Sequence, residues 1–496
     1  MKQLKHQVFW PPFVLLTTAL VLSLINPDLF KQQVAGINNW ILQHFDKAFT
    51  WGTFFFLVLV LITYFSPFAQ HRIGGSTAVP LLKKWQLFSI TLCTTIATGI
   101  LFWGCAEPLY HVHSPPKGLA PTIAPHDFAM STLYMHWSFT PYAIYCLLGI
   151  VFAWLYYQKK STFSIGLVLQ PLFKKGTPMA AQNIADVICL FALVAGMAAS
   201  LGAGILTISG GLNALFNLEE TTVLRGSIAL VIVLAFVASA ASGLLKGIKW
   251  LSLLNTWAFI ALALFILLWG PAKEILLTSL SGLKDYFSTF IERSTGTAGI
   301  EPEWNHSWTT FYWANWLAWA PITAMFLGKI ARGYTIRQFI QFNFLLPSLF
   351  GIAWMSIFAG ATLHFDKQQN GTFYETMNSD GIQTAIYSLF QQYPVVTLVS
   401  TLFLLIVFIS FVTAADSNTS ALSGMSTKQA ENGEGLLQIK IVWGLIIGGM
   451  AFMMITFSGI DGVRLLSVLG GFPVLFLMIA ASAGLIKLIF NKKRNA

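Results

Sequence analysis

Apolar residues run through this chain in long blocks, each ended by a short polar stretch. Blocks of ~20 residues match the length a helix needs to cross the hydrocarbon core of a bilayer. The pattern predicts twelve spans, at about 8–26, 50–70, 86–110, 126–157, 182–214, 225–243, 248–270, 307–331, 338–364, 392–416, 437–458 and 461–489. One segment, 271–295, has a different period. Leu276, Leu280, Leu283, Phe287 and Phe290 recur at spacings of four and three, with Lys273, Lys284, Asp285, Glu292 and Arg293 on the other side. This predicts an amphipathic surface helix, too polar to span, lying on the outer face or against a partner subunit. The third to fifth spans and the tenth are the most polar or glycine-rich, which is where a transport path is expected.

Composition supports the membrane reading. Of 496 residues, 56% are hydrophobic and 10% charged, with a mean hydropathy of +0.68. Soluble domains carry about 25% charged residues. The net charge of +10 does not imply nucleic acid, because the basic residues sit at span ends. With the N-terminus inside, roughly 20 of the 29 Lys and Arg fall on cytoplasmic segments, the bias that topology requires. An even number of spans returns the C-terminus to the same side. The expectation is a multi-pass protein of the cytoplasmic (inner) membrane with both termini cytoplasmic.

The N-terminal MKQLKHQ before an apolar run mimics a signal peptide, but no A-x-A site follows, so it reads as a retained first span. Tails of about seven residues at each end suggest no large regulatory domain. Cys93, Cys105, Cys146 and Cys189 lie in apolar runs without metal-ligand spacing, and no disulfide framework is expected. The stretch 367–390 reads as the longest external polar loop, with an N-x-T sequon at Asn370.

Ionisable groups inside the membrane are functional candidates by default. Glu107 is expected near the outer end of the third span and Asp416 near the inner end of the tenth, where capping or structural roles compete with transport. Neither the third nor the fourth span shows a mid-membrane carboxylate. Aromatic residues are plentiful instead. Trp313, Trp316 and Trp319 stand three residues apart in YWANWLAWAP, beside Asn315. Positions at that spacing share a helix face. The fourth span adds Trp137, Tyr142 and Tyr145, with Pro141 expected to kink it. Each stripe alone fits packing or an interfacial belt. Facing each other, the two would form a cage for a cation. The glycines of GMAASLGAGILTISGGLN (196–213) allow either close helix packing or a broken helix with exposed carbonyls.

These motifs together resemble the betaine/carnitine/choline transporter family. The matching blocks are FWGCAEPLYHVHSPP (102–116), HWSFTPYAIY (136–145), the glycine run 196–213, FYWANWLAWAPITAMFLGKIARGYTIRQF (311–339) and FVTAADSNTSALSGMS (411–426). They follow the family's order and cover most of the chain. The resemblance implies an all-α integral membrane protein with a leucine-transporter-type core. Two peripheral spans (8–85) would precede inverted repeats at 86–270 and 307–490, spans three to seven and eight to twelve, joined by the surface helix, in a single domain covering 1–496. It implies secondary active transport of small quaternary or tertiary ammonium compounds of the betaine, carnitine, choline or trimethylamine type, and a homotrimer.

Carried over by position, the resemblance places substrate in a cage of Trp137, Tyr142, Tyr145 and Trp316. Trp319 would lie close by, and Trp313 and Asn315 at an external site or pathway. Members commonly have Trp at the positions of Tyr142 and Asn315. The Tyr142 hydroxyl therefore hints at a substrate bearing an N–H. Sodium-coupled members carry a G-M-G-I-G run where this chain has Thr95, Ile96, Ala97, Thr98 and Gly99. They also carry Thr-Ser where it has Thr413 and Ala414. Proton-coupled members place an acid in that run, and none is present here. Ile96, Thr98 and Thr413 remain candidates for a sodium site, the one cofactor considered. Ion-independent exchange is equally open.

Other classes find less support. A membrane enzyme needs convergent acid, base or nucleophile groups. His111 and His113 form a weak H-x-H pair, read as loop residues near the outer surface. No phosphate loop, nucleophile–base pair or selectivity filter appears.

Overall fold

The computed structural model describes residues 3–96, 99–119, 123–159, 163–241, 244–428 and 435–490. Runs of apolar and helix-compatible residues form α1 (His6–Ile25), α2 (Pro27–Phe65), α3 (Lys84–Ile96), α4 (Gly99–His113), α5 (Pro125–Trp137), α6 (Phe139–Lys159), α7 (Met179–Phe216), α8 (Thr222–Ala241) and α9 (Leu244–Trp269). Then follow α10 (Ala272–Thr295), α11 (Pro302–Asn305), α12 (Phe311–Ile330), α13 (Ile336–Ile340), α14 (Leu346–Gln368), α15 (Thr372–Asp380), α16 (Thr384–Phe390), α17 (Val396–Met425) and α18 (Leu437–Phe490). No β-strand occurs among the described residues, only isolated bridges at Leu4–Thr427 and Arg72–Thr335. The protein is an all-α membrane protein.

Among the described residues ten helices are long and apolar enough to cross a membrane, or eleven if α3 and α4, bent by 56°, count as one broken span. That is fewer than the twelve expected. The difference falls on α12, which is almost wholly buried. Its indoles, phenol and Asn315 depress its mean hydropathy although neighbouring helices surround it. Within α18, Gly459 adopts φ 54° and ψ −139° and breaks the helix between the last two predicted spans.

Several boundaries differ from expectation. α2 begins at Pro27, far upstream of residue 50, with Asn26 accepting a hydrogen bond from the Leu29 amide as its cap. α17 continues to Met425, so Asp416 lies within a helix rather than at its end. The stretch 367–390 is mostly the short helices α15 and α16. The fourth predicted span breaks at Ser138 (φ −127°, ψ −116°), three residues before Pro141. Proline lacks an N–H, which leaves the Trp137 carbonyl without its helical donor. A Cβ built at Gly351 of α14 would stand 2.3 Å from that carbonyl oxygen. Only glycine permits this approach.

The glycine run of α7 is continuous helix, so the packing reading prevails over a break. α7 and α18 share the most extensive interface in the molecule. A Cβ at Gly202 would stand 2.8 Å from Ile455 of α18. Small residues let the backbones come this close. α10 packs through one side, with Leu283 and Phe290 of its apolar row partly buried against the core. Ile275, Ser279, Gly282 and Tyr286 face α5 and α14, while Leu276, Leu280 and Phe287 point outward. Arg293, expected on the polar face, is buried, donates to Ser131 and Thr132 of α5 and lies 4.7 Å above the Phe128 ring. The four cysteines are free and buried.

Segments read as sharing the cytoplasmic side do meet. The Lys5 amide donates to Ser426 at 2.8 Å, and Arg72 donates to the Gly333 carbonyl at 2.7 Å.

Candidate functional site

The break at Ser138 leaves Trp137 at the end of α5, while Tyr142 and Tyr145 project from the first turns of α6. α12 brings Trp316 into their midst. The Trp316 ring centroid lies 5.6 Å from Trp137, 5.5 Å from Tyr142 and 5.2 Å from Tyr145, tilted or edge-on to each. The two aromatic stripes therefore face each other. All four rings are buried.

A cavity of about 30 Å³ lies beside them, lined in part by Trp137, Tyr145, Asn315, Trp316 and Trp319. A water needs about 10–15 Å³ by this measure, so the space holds no more than a water or two. A trimethylammonium group needs more, so admitting one requires the rings to separate. The Asn315 carboxamide oxygen accepts from Ser467 of α18 at 2.9 Å. Trp319 stands against Gly196, where a Cβ would be 3.1 Å from the indole.

Two predicted residues sit differently. Trp313 packs edge-on against His136 at 5.9 Å, does not line this cavity, and its indole nitrogen has no hydrogen-bond partner. Tyr142 touches Trp316 but does not line this cavity either.

The largest surprise is Glu107. It is wholly buried inside α4, not a capping group near a span end. One carboxylate oxygen accepts from His136 Nδ1 at 2.6 Å and His111 Nε2 at 3.2 Å. The other accepts from Trp137 Nε1 at 2.8 Å and the Tyr312 hydroxyl at 2.5 Å. His111 is thus a buried partner rather than a surface loop residue. His136 stacks on Tyr312 with centroids 4.4 Å apart, and its Nε2 meets the Thr309 hydroxyl at 3.1 Å. Its carbonyl accepts from Trp316 Nε1 at 3.1 Å. Four donors converge on one carboxylate directly behind the aromatic cluster and fix the planes of both Trp137 and, through His136, Trp316.

Glu107, His111 and His136 could in principle hold a metal ion. The 2.6 Å separation of Oε1 and Nδ1 is a hydrogen-bond distance. It is closer than two ligands at about 2.0 Å around a tetrahedral zinc would stand. The cluster reads as a positioning network. His113, by contrast, lies half-exposed against Asp366 at 2.7 Å.

The ion-site candidates are only partly visible. Thr98 and the Ile96 side chain lie outside the described residues. Thr413 is buried in α17, where its hydroxyl donates to the Ile409 carbonyl at 2.7 Å. Asp416, also buried, accepts from Ser239 at 2.6 Å.

The architecture is that of an all-α, multi-pass membrane bundle with a buried aromatic cluster between its helices. The chain matches the betaine/carnitine/choline transporter family over residues 7–494 and belongs to it. It is 27% identical over 496 residues to an ectoine/hydroxyectoine transporter of Virgibacillus pantothenticus, covering 99% of this chain and 98% of that protein. It is 29% identical over 487 residues to the glycine betaine transporter OpuD of Bacillus subtilis, covering 96% and 94%. It is 25% identical to the high-affinity choline transport protein of Escherichia coli K12, covering 97% of this chain and 71% of that one. The protein is a multi-pass transporter and not an enzyme.

Proposed function

We propose that the chain moves a small quaternary or tertiary ammonium compound by alternating access, holding the ammonium among Trp137, Tyr142, Tyr145 and Trp316, with Trp319 at its other end. The carrying observation is the convergence of three rings from 137–145 on Trp316, each within 5.6 Å of it. Ring faces attract a cation, and desolvation strengthens that attraction to about 2 kcal/mol or more. The Glu107 carboxylate behind Trp137 adds negative charge of the matching sign. The relatives' names, which include ectoine, betaine and choline, support the substrate class and leave the individual compound open.

The cage residues belong to both proposed repeats, 86–270 and 307–490. Movement of one repeat against the other would then open the rings to alternate sides. The outward row Leu276, Leu280 and Phe287 suits lipid or the neighbouring subunit of a homotrimer. Orientation with both termini in the cytoplasm follows from the charge distribution.

The test is uptake into proteoliposomes of glycine betaine, choline, carnitine, trimethylamine and ectoine. Saturable uptake of at least one cationic or zwitterionic member is expected. Uptake of none would sink the proposal. The same assay decides coupling. A sodium site using Thr413 makes uptake collapse without a sodium gradient. Exchange leaves it indifferent to sodium but dependent on preloaded substrate.

Asn315 is expected to tune selectivity, because it lines the small cavity. Asn315→Trp fills that cavity and removes the acceptor for Ser467. The rank order of methylamine inhibition should change. An unchanged order would show that Asn315 is outside the site.

A further inference from the structure

Three helices of the bundle meet at Asn255 of α9. Its side-chain Nδ2 donates to the Ser410 hydroxyl of α17 at 2.7 Å and to Cys93 Sγ of α3 at 3.8 Å. α9 packs against both of those helices. Cys93 in turn meets the Ser252 carbonyl at 3.4 Å and the Thr256 hydroxyl at 3.6 Å, both on α9. Asn255, Cys93 and Ser410 are all buried. A carboxamide is costly inside a membrane bundle unless its hydrogen bonds repay the burial. Here they do so by tying α3 to α17.

The place of this bridge matters. Ser410 lies one helical turn before Thr413 and Ala414, and Cys93 one turn before Ile96. The amide therefore joins the same two helices, at neighbouring height, that an ion held by Ile96, Thr98 and Thr413 would join. The Thr413 hydroxyl donates to the Ile409 carbonyl, and Ala414 brings no side-chain oxygen.

We propose that the Asn255 carboxamide takes the place of a coupling ion between α3 and α17, and that transport by this chain is independent of sodium. This rests on the ammonium reading given above and decides its coupling. An ion holds membrane helices together by drawing oxygen ligands from each. Asn255 links them with two N–H donors and no charge, so no ion has to leave water. Net flux then follows the gradients of the transported solutes alone. The one atom of the bridge that could still accept a cation is Asn255 Oδ1, which has no hydrogen-bond partner. An ion there would make the protein respond to sodium, and the test reads this.

The experiment is counterflow of radiolabelled glycine betaine and choline in proteoliposomes, in sodium chloride and in potassium chloride of equal strength at mildly alkaline pH. Melting temperatures are measured in both salts. Wild-type counterflow and melting should be the same in the two. Asn255→Ala should slow counterflow about tenfold in both salts, the effect of losing a buried hydrogen-bonded bridge. Ser410→Ala, which removes one end of it, should slow counterflow less. Asn255→Asp keeps the shape and adds a buried carboxylate, which needs a counter-charge. Its counterflow should become severalfold faster in sodium than in potassium, a change that a merely structural asparagine would not produce. Wild-type counterflow or melting that rises severalfold or by several degrees in sodium overturns the proposal. So does Asn255→Ala at the wild-type rate, or Asn255→Asp slowed equally in both salts. If the wild type exchanges neither compound, the ammonium reading fails separately. Melting then decides the bridge: a rise in sodium overturns it, and a wild type indifferent to sodium but destabilised by Asn255→Ala upholds it.

Discussion

Trp316→Ala abolishes high-affinity binding and with it transport. Trp316 is the ring that Trp137, Tyr142 and Tyr145 all touch. Alanine leaves three isolated walls and no enclosed face. A desolvated cation–π contact of about 2 kcal/mol or more corresponds to a loss of roughly 30-fold or more in affinity. The same change opens a packing defect, and truncating a buried tryptophan costs about 3–5 kcal/mol of stability. The two effects must be separated, so binding is measured on protein shown to be monodisperse. Trp316→Phe keeps a ring in place and should fall between wild type and alanine. An alanine variant within about twofold of wild-type affinity would mean the cage is misassigned.

Glu107→Ala has the second large effect, on stability and transport together. The carboxylate is the common acceptor for His111, His136, Trp137 and Tyr312. Removing it leaves four buried donors, each costing about 1–3 kcal/mol if nothing replaces the partner. Water entering the space reduces the total, and a loss on the order of 3–5 kcal/mol is expected, as for a broken buried charge network. Thermal unfolding in detergent reads this directly. Glu107→Gln separates geometry from charge. It preserves one acceptor oxygen and the shape, so it should recover part of the melting temperature while binding of an ammonium substrate stays weak. Wild-type melting and uptake in Glu107→Ala would show that the network neither supports the bundle nor orients the cage.

These predictions differ in how readily the sequence discloses them. The Trp316 stripe is legible because helical spacing is a local property. Residues three apart fall on one face whatever surrounds them. Glu107 is not legible. Its partners His136, Trp137 and Tyr312 lie 29, 30 and 205 positions away. A glutamate within a turn or two of a span end has the same local pattern whether it caps a helix or organises a core. His111 misleads for the same reason. The orientation of α10 is a related case. Its apolar row is the more hydrophobic face, but the face turned inward is the one whose Gly282 and Ser279 fit against α5 and α14. Close packing of these small residues against neighbouring helices, rather than hydrophobicity alone, chooses the face turned inward.

Run length, composition and charge distribution determined by themselves that this chain is an all-α membrane protein, because crossing hydrocarbon demands a fixed length of satisfied backbone. The order of its motifs pointed to its family. Only the tertiary structure decided where the fourth span breaks, which glycines admit a neighbouring carbonyl, and which aromatic rings meet. It also turned Glu107 from an end-of-helix acid into the common acceptor of His111, His136, Trp137 and Tyr312. Those outcomes depend on contacts between segments far apart in the chain, and a buried carboxylate is tolerable only where enough donors arrive together.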